Sequence, residues 1–173
     1  WEPDVIAYYW AYDTRFEDLK YAEILAHKHR VILVGPWSTH YPEALKDCPS
    51  VEAMTWGQFE YTLPELIYEK KDLKGVTYRD GSYRPHREAY STAELDWMPF
   101  ISSVYHKKLD LNKYHQTSFR HPFVDLYTSR GCVPGTCTFC SVNNGENKLQ
   151  WRSRTLSSVM EELHYIKEYL PYV

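Results

Sequence analysis

Three cysteines with the spacing of a metal-binding loop lie within nine residues of one another: Cys132, Cys137 and Cys140. Thiolates are the usual protein ligands of iron–sulfur clusters. Three ligands on a four-iron cluster leave one iron open to a reactant, as a catalytic zinc keeps one position open. Gly131 and the Pro134-Gly135 pair supply the turn residues that such a loop requires. The spacing therefore predicts a 4Fe–4S cluster with these three cysteines as its ligands.

Other uses of the three thiols remain open. A zinc site would need a fourth ligand from Cys48, His121 or His164, none of which has the paired spacing of a zinc ribbon. A disulfide is disfavoured because no export signal opens the chain. The alternatives to the cluster are therefore a non-catalytic zinc-binding or interaction module, a disulfide, and an α/β scaffold with unliganded thiols.

Composition restricts the class of protein. The chain has 173 residues, of which 43% are hydrophobic and 25% charged, and its net charge is −3. This balance is typical of a globular protein with a real core, and it provides no basic surface for nucleic acid. No apolar run approaches the length of a membrane span. We therefore predict no nucleic-acid partner and no membrane span, and the clustered cysteines, which suit metal binding in a reducing compartment better than disulfides, predict a cytoplasmic protein.

The first half alternates short apolar runs with helical patterns. Val5–Trp10, Val31–Val34 and a weaker run at Glu52–Met54 are the predicted strands. Capping boxes are predicted at Thr14 and Thr62, each with Glu three residues later. One helical face follows Thr14, formed by Phe16, Leu19, Ala22 and Leu25. The pattern predicts an incomplete Rossmann-like α/β domain with a parallel sheet over residues 1–88.

The second half is predicted to contain a linker and then one strand–loop–helix unit. Residues 89–122 are irregular and rich in His and Pro, which indicates a linker. A domain over 123–173 follows, in which the strand Val124–Thr128 runs into the cysteine loop. Thr155 is the predicted N-cap of its helix, whose apolar stripe comprises Leu156, Val159, Leu163, Ile166 and Leu170.

The sequence Arg130-Gly-Cys132 followed by Cys137-Thr-Phe-Cys140, between a strand and a helix, resembles the cluster loop of the radical S-adenosylmethionine (SAM) superfamily. Its first cysteine interval has four residues, where that family usually has three. The resemblance implies the first β/α unit of a partial barrel and reductive cleavage of SAM to a 5′-deoxyadenosyl radical. It also implies that Phe139 contacts the SAM adenine and that Arg152 and Arg154 lie at the cofactor.

Residues before the loop resemble the cobalamin-binding type of that superfamily, most of all its members in hopanoid biosynthesis. The likeness rests on Val34-Gly-Pro36, Lys74–Gly81 and Leu95–Cys140. It implies a hopanoid or other small-molecule or lipid substrate, cobalamin as a further cofactor, and an electron donor such as flavodoxin or ferredoxin. The Asp-x-His-x-x-Gly motif for cobalt is absent from the sequence. Because the chain begins at Trp1 and ends after one helix, we expect a fragment that is inactive alone.

Overall fold

The computed structural model describes residues 2–68, 73–82, 91–133, 135, 137–140 and 151–173. These residues form two compact units. The first unit lies within 1–89 and 138–148, and the second unit lies within 90–137 and 149–173. No helix among the described residues is long and apolar enough to cross a membrane.

A four-stranded, mostly parallel sheet forms the centre of the first unit. Its strands are β1 (Val5–Tyr9), β2 (Arg30–Val34), β3 (Ala53–Thr55) and β4 (Val76–Tyr78), in that spatial order. The first three are parallel, and β4 pairs antiparallel with β3. The predicted α/β class with a parallel sheet is confirmed, and the sheet is compatible with a Rossmann-like fold.

Strand β2 is buried on both faces because its residues alternate between two hydrophobic clusters. Val31 and Leu33 belong to one cluster and Ile32 and Val34 to the other. Successive side chains of a strand point to opposite faces, so a continuous apolar run suits a strand that is covered on both sides. The first cluster also contains Trp10, Ala22, Ala44, Leu45, Cys48, Val51 and Met54, and the second contains Ala53, Leu66 and Val76.

The helices of the first unit are α1 (Arg15–Ala26), α2 (Pro36–His40) and α3 (Thr62–Ile67), with a 3₁₀ turn at Pro42–Lys46. Both predicted capping boxes are wrong. Thr14 is the N-cap of α1, but its hydroxyl donates to Asp18 at 2.7 Å and does not accept from the helix backbone. Thr62 already lies inside α3. A capping box requires the N-cap hydroxyl to accept a hydrogen bond from the helix backbone. The sequence motif at Thr14 does not show that the hydroxyl donates to Asp18 instead.

The second unit contains α4 (Thr92–Trp97), α5 (Ile101–Lys108), a 3₁₀ turn at Leu111–Lys113, strands β5 (Ser129–Arg130) and β6 (Arg152–Ser153), and α6 (Leu156–Tyr169). Two helices therefore occupy the segment that the sequence analysis assigned to a linker. Helix α4 begins at a complete capping box, in which the Ser91 hydroxyl accepts from the Glu94 backbone and the Glu94 carboxylate accepts from Ser91. The domain boundaries drawn from the sequence stay a prediction.

The strand before the cysteine loop is displaced from its predicted position. Residues 124–128 are not in a strand, and β5 begins at Ser129, where it pairs antiparallel with β6. The prediction was based on the β-rich composition of residues 124–128, and composition does not show whether another strand is available to pair with them. The N-cap at Thr155 is confirmed, because its hydroxyl accepts from the Ser158 backbone at 3.2 Å.

The buried position of β2 yields a stability prediction. Leu33→Ala should lower the free energy of unfolding of the first unit by about 2–5 kcal/mol, because truncation leaves a cavity in a fully buried cluster. Ile24→Ala on α1, where the side chain is 53% exposed, is the matched control and should change it by less than about 0.5 kcal/mol. Urea denaturation followed by tryptophan fluorescence measures both, and equal effects would contradict this description of the core.

Candidate functional site

A short antiparallel ladder places two arginines opposite each other at the start of the cysteine loop. Arg130 on β5 is the register partner of Arg152 on β6. Gly131 follows Arg130 with φ of +90°, a conformation that glycine adopts without strain, and Cys132 comes next. The cysteine loop therefore begins directly after Arg130.

Arg152 carries a buried cation without a partner in the described part of the chain. Its Nε, Nη1 and Nη2 atoms are all buried, and none makes a hydrogen bond there. Burial lowers the pKa of Arg152, and the positive charge of Arg130 lowers it further. An unpaired buried charge is costly, because the solvation it loses is not replaced.

Arg154, two residues further on, is fully engaged by the fold. Its guanidinium pairs with the Glu162 carboxylate and donates to the Ser158 carbonyl at 3.0 Å and to the Tyr127 carbonyl at 3.1 Å. It also lies 5.5 Å from the centre of the Phe100 ring. These contacts satisfy its charge and most of its donors, so Arg154 is a positioning residue for the ladder.

Glu162 is the buried anion that holds Arg154. It is 1% exposed, and its second carboxylate oxygen accepts from the backbone nitrogen of Ser102 at 3.2 Å and from the Ser102 hydroxyl at 2.9 Å. Ser102 lies on α5 and Glu162 on α6, so this carboxylate joins Arg154, the residue that follows β6, to two helices. Both oxygens of this buried carboxylate therefore have partners, as buried polar atoms of folded proteins usually do.

The three cysteines of the loop form no disulfide in the structure, and they differ in exposure. Cys132 is exposed, whereas Cys137 and Cys140 are partly buried. Among the residues that the structure describes, no group of three or more His, Cys, Asp or Glu side chains could hold a metal ion. Phe139 is 89% exposed. The assignments of the three thiols to a metal and of Phe139 to an adenine stay predictions.

The first unit has a cavity of about 320 Å³ at the carboxyl ends of β1 and β2. Trp37 stacks on Tyr41 with ring centres 4.5 Å apart, and the Arg15 guanidinium lies 5.1 Å from the Trp37 ring. Gly35 has φ of +114°, and a Cβ there would lie 3.0 Å from the Trp10 carbonyl. Open α/β sheets bind ligands at this edge. The lining residues are Trp10, Arg15, Phe16, Leu19, Trp37, Tyr41, Glu43, Ala44 and Asp47.

Comparison with known proteins yields two relatives, and no protein-family model matches the chain. Over 146 residues, 78% of its length, the chain is 32% identical to the uncharacterized methyltransferase PH0819 of Pyrococcus horikoshii. Over 187 aligned positions and 87% of its length, it is 22% identical to cytidylyl-2-hydroxyethylphosphonate methyltransferase of Streptomyces wedmorensis. The chain covers 30% and 34% of these two proteins, about a third of each.

These names correct the functional interpretation of the sequence. Both relatives are named methyltransferases, so the assignment to the radical SAM superfamily, to hopanoid biosynthesis and to reductive SAM cleavage is wrong. That assignment depended on the cysteine loop, whose spacing departs by one residue, and on resemblances in segments before it, whereas the first alignment extends over 78% of the chain. The 4Fe–4S cluster, cobalamin and an electron donor have no support in the relatives' names or in the described side chains.

Sequence reasoning missed three residues that shape this region: Arg130, Glu162 and Ser102. Glu162 lies three residues after Val159 of the predicted apolar stripe, which is the spacing of one helical face. A charged residue on an otherwise apolar face was the available signal for a buried ion pair. No sequence signal placed Arg130 opposite Arg152, because that register depends on where β6 pairs.

The cysteine prediction is testable through metal content. Cys132→Ala, Cys137→Ala and Cys140→Ala should each remove the bound metal that elemental analysis detects in the parent chain. Cys48→Ala is the matched control and should leave the metal content unchanged, because Cys48 is buried in the first unit. Burial raises the pKa of the Cys48 thiol to about 11, and the negative charges of Glu23 and Asp47 contribute to this rise. A protonated thiol is a poor metal ligand. A parent chain without metal, or loss of metal in Cys48→Ala alone, would contradict the assignment.

Proposed function

We propose that the protein is a methyltransferase that uses S-adenosylmethionine and acts on a small molecule. The observation that carries the proposal is the 32% identity to a protein named a methyltransferase over 78% of the chain. The second relative, also named a methyltransferase, aligns with 87% of the chain at lower identity. Because the chain spans about a third of each relative, its activity and its acceptor are proposals for the whole protein.

Bound S-adenosylmethionine supplies a methyl group: its sulfonium carbon–sulfur bond breaks as the carbon bonds to the acceptor, sulfur keeps the electron pair, and the acceptor loses its proton. The chain's own contribution is to bind and orient the donor. A buried guanidinium without a partner, that of Arg152, fits a ligand with a carboxylate, which the donor carries. Arg154 and Glu162 fix the strand on which Arg152 lies.

Two observations support a small acceptor. The Streptomyces relative is named for a cytidylyl phosphonate, a small anionic compound. The cavity of about 320 Å³ in the first unit is within the size range of small-molecule sites, and its aromatic rings are typical of their walls. Both features favour a small-molecule acceptor.

Calorimetric titration of the chain with S-adenosylmethionine tests the proposal. We expect saturable binding of one equivalent with a dissociation constant below about 1 mM, the upper end of usual Michaelis constants. S-adenosylhomocysteine, the demethylated product, should compete, and ATP, which shares only the adenosine, should not. An absence of saturable binding, or equal binding of ATP, would contradict the proposal.

A further inference from the structure

We propose that the cavity at the carboxyl ends of β1 and β2 binds a small aromatic acid, whose carboxylate or phosphate pairs with Arg15. The inference rests on the proposed function only in taking this ligand to be the methyl acceptor. The site itself follows from the contacts of Arg15 and from the aromatic rings of the cavity wall. All of the residues that line the cavity belong to the first unit.

The Arg15 guanidinium lies at the cavity wall against two aromatic rings. Its central carbon is 4.6 Å from the centre of the Phe16 ring and 5.1 Å from that of Trp37. Contacts of this kind attract a cation and hold it in place. Neither ring supplies an oxygen or nitrogen acceptor, so the rings leave the five N–H donors of the guanidinium without a hydrogen bond.

Most of the Arg15 donors have no acceptor in the described part of the chain. Its Nη1 atom donates to the Tyr12 carbonyl at 3.0 Å, and no described carboxylate forms an ion pair with Arg15. Asp18, in the same helical turn, instead accepts from the Thr14 hydroxyl at 2.7 Å and from the Ala11 backbone at 3.2 Å. Arg15 is therefore a positioned cation that can form charge-assisted hydrogen bonds with an oxyanion in the cavity.

Helix stability does not explain an arginine at this position. Arg15 is the first residue of α1, where the helix macrodipole disfavours a positive charge. Glu17 and Asp18, in the same turn, are residues of the type that a helix N-terminus favours. A ligand oxyanion beside Arg15 would compensate its charge and would itself be favoured by the helix dipole.

The other walls of the cavity suit a flat ligand of limited size. Trp37 and Tyr41 are stacked, Tyr41 is 47% exposed and Phe16 is 71% exposed. Exposed rings at a cavity provide surfaces on which another aromatic ring packs. The volume of about 320 Å³ lies at the lower end of the range of small-molecule sites, roughly 300–1,000 Å³. The cavity therefore favours a ligand with one or two rings over a nucleotide.

Two carboxylates in the cavity lining determine where the ligand's negative charge lies. Glu43 and Asp47 are both exposed, and neither pairs with Arg15. Because they repel an anion, the oxyanion of the ligand is confined to the wall that Arg15 forms. Water and salt screen the charges of exposed groups, so this repulsion orients the ligand without excluding it.

Calorimetric titration of the chain with three two-ring probes tests the site. The probes are indole-3-acetate, indoxyl phosphate and indole-3-acetamide, the neutral amide of the first. We expect at least one of the two acids to bind with a dissociation constant below about 1 mM, as an efficient ligand of this size can. The amide should bind at least about 10-fold more weakly than indole-3-acetate if the carboxylate is the preferred group. Tighter binding of indoxyl phosphate assigns a phosphate instead.

Arg15→Gln tests the role of the cation. It should weaken binding of the preferred acid about 10- to 100-fold and leave binding of the amide unchanged, because only the acid loses charge-assisted hydrogen bonds. Arg15→Lys, which keeps the charge but loses the planar fork, should restore binding in part. Lys20→Gln is the matched control, because it removes the same charge from an exposed position on α1 outside the cavity lining.

Phe16→Ala tests the aromatic wall with little risk to folding, because the ring is 71% exposed. It should weaken all three probes about 2- to 10-fold, the usual contribution of one aromatic contact. Tyr21→Ala removes a ring that is 56% exposed on the same helix outside the cavity lining, and it should leave the three affinities unchanged.

Urea denaturation without ligand separates binding from a structural role. Arg15→Gln should unfold at the same urea concentration as the parent, because the side chain makes one hydrogen bond in the free protein. A destabilised Arg15→Gln variant with an equal loss for all three probes would overturn the inference. Parent-like affinity of that variant for both acids would also overturn it, as would a parent chain that binds neither acid.

Titration with S-adenosylmethionine in the presence of the preferred acid distinguishes this inference from the proposed function. A methyl acceptor should bind together with the donor, so competition between the two would overturn the assignment of the ligand as the acceptor. If the acid binds through Arg15 and S-adenosylmethionine does not bind, the proposed function fails and the aromatic-acid site stands. Binding of S-adenosylmethionine without binding of either acid would overturn the site alone.

Discussion

The buried ion pair between Arg154 and Glu162 is the interaction on which the second unit depends. One carboxylate oxygen of Glu162 meets Arg154, and the other accepts two hydrogen bonds from Ser102. The pair joins the residue that follows β6 to α5 and α6, while the Thr155 backbone donates to Asp96 of α4 at 2.9 Å. Removing one partner of such a pair costs about 3–5 kcal/mol, because the other charge stays buried alone. The second unit is therefore sensitive to the loss of either partner alone.

The ion pair with Glu162 gives Arg154 an environment that differs from that of Arg152, although the two arginines are only two residues apart. Residues two apart in a strand share a face, so Arg152 and Arg154 would be expected to act together. Glu162 neutralises only Arg154, and Arg152 is held against Arg130 with its nitrogens buried. The ion pair thus satisfies one cation, whereas the buried guanidinium nitrogens of Arg152 have no hydrogen-bond partner among the described residues. This division links the ion pair to the proposed function, since a methyl donor must be held by an oriented group.

The features that the sequence predicts well are those fixed by nearby residues. The apolar run Val31–Val34 forms a buried strand because both of its faces are apolar and pack against hydrophobic clusters. Thr155 caps α6 because its hydroxyl accepts a hydrogen bond from the backbone nitrogen three residues later. Features that depend on distant partners were missed. Residues 124–128 have strand-like composition but are not in a strand, and the buried Glu162 has its partners, Arg154 and Ser102, on other elements. Among the site residues, Arg152 was chosen from sequence, whereas its partner Arg130 required the register of the ladder.

A double-mutant cycle on Arg154 and Glu162 tests the central claim most directly. Arg154→Met, Glu162→Leu and the double variant are compared by urea denaturation of the second unit. The account predicts that each single change destabilises the unit by about 3–5 kcal/mol and that the double variant recovers much of this loss, because no buried charge remains unpaired. Single effects that add to the double effect within about 0.5 kcal/mol would show that the two groups are not coupled, and would contradict the account.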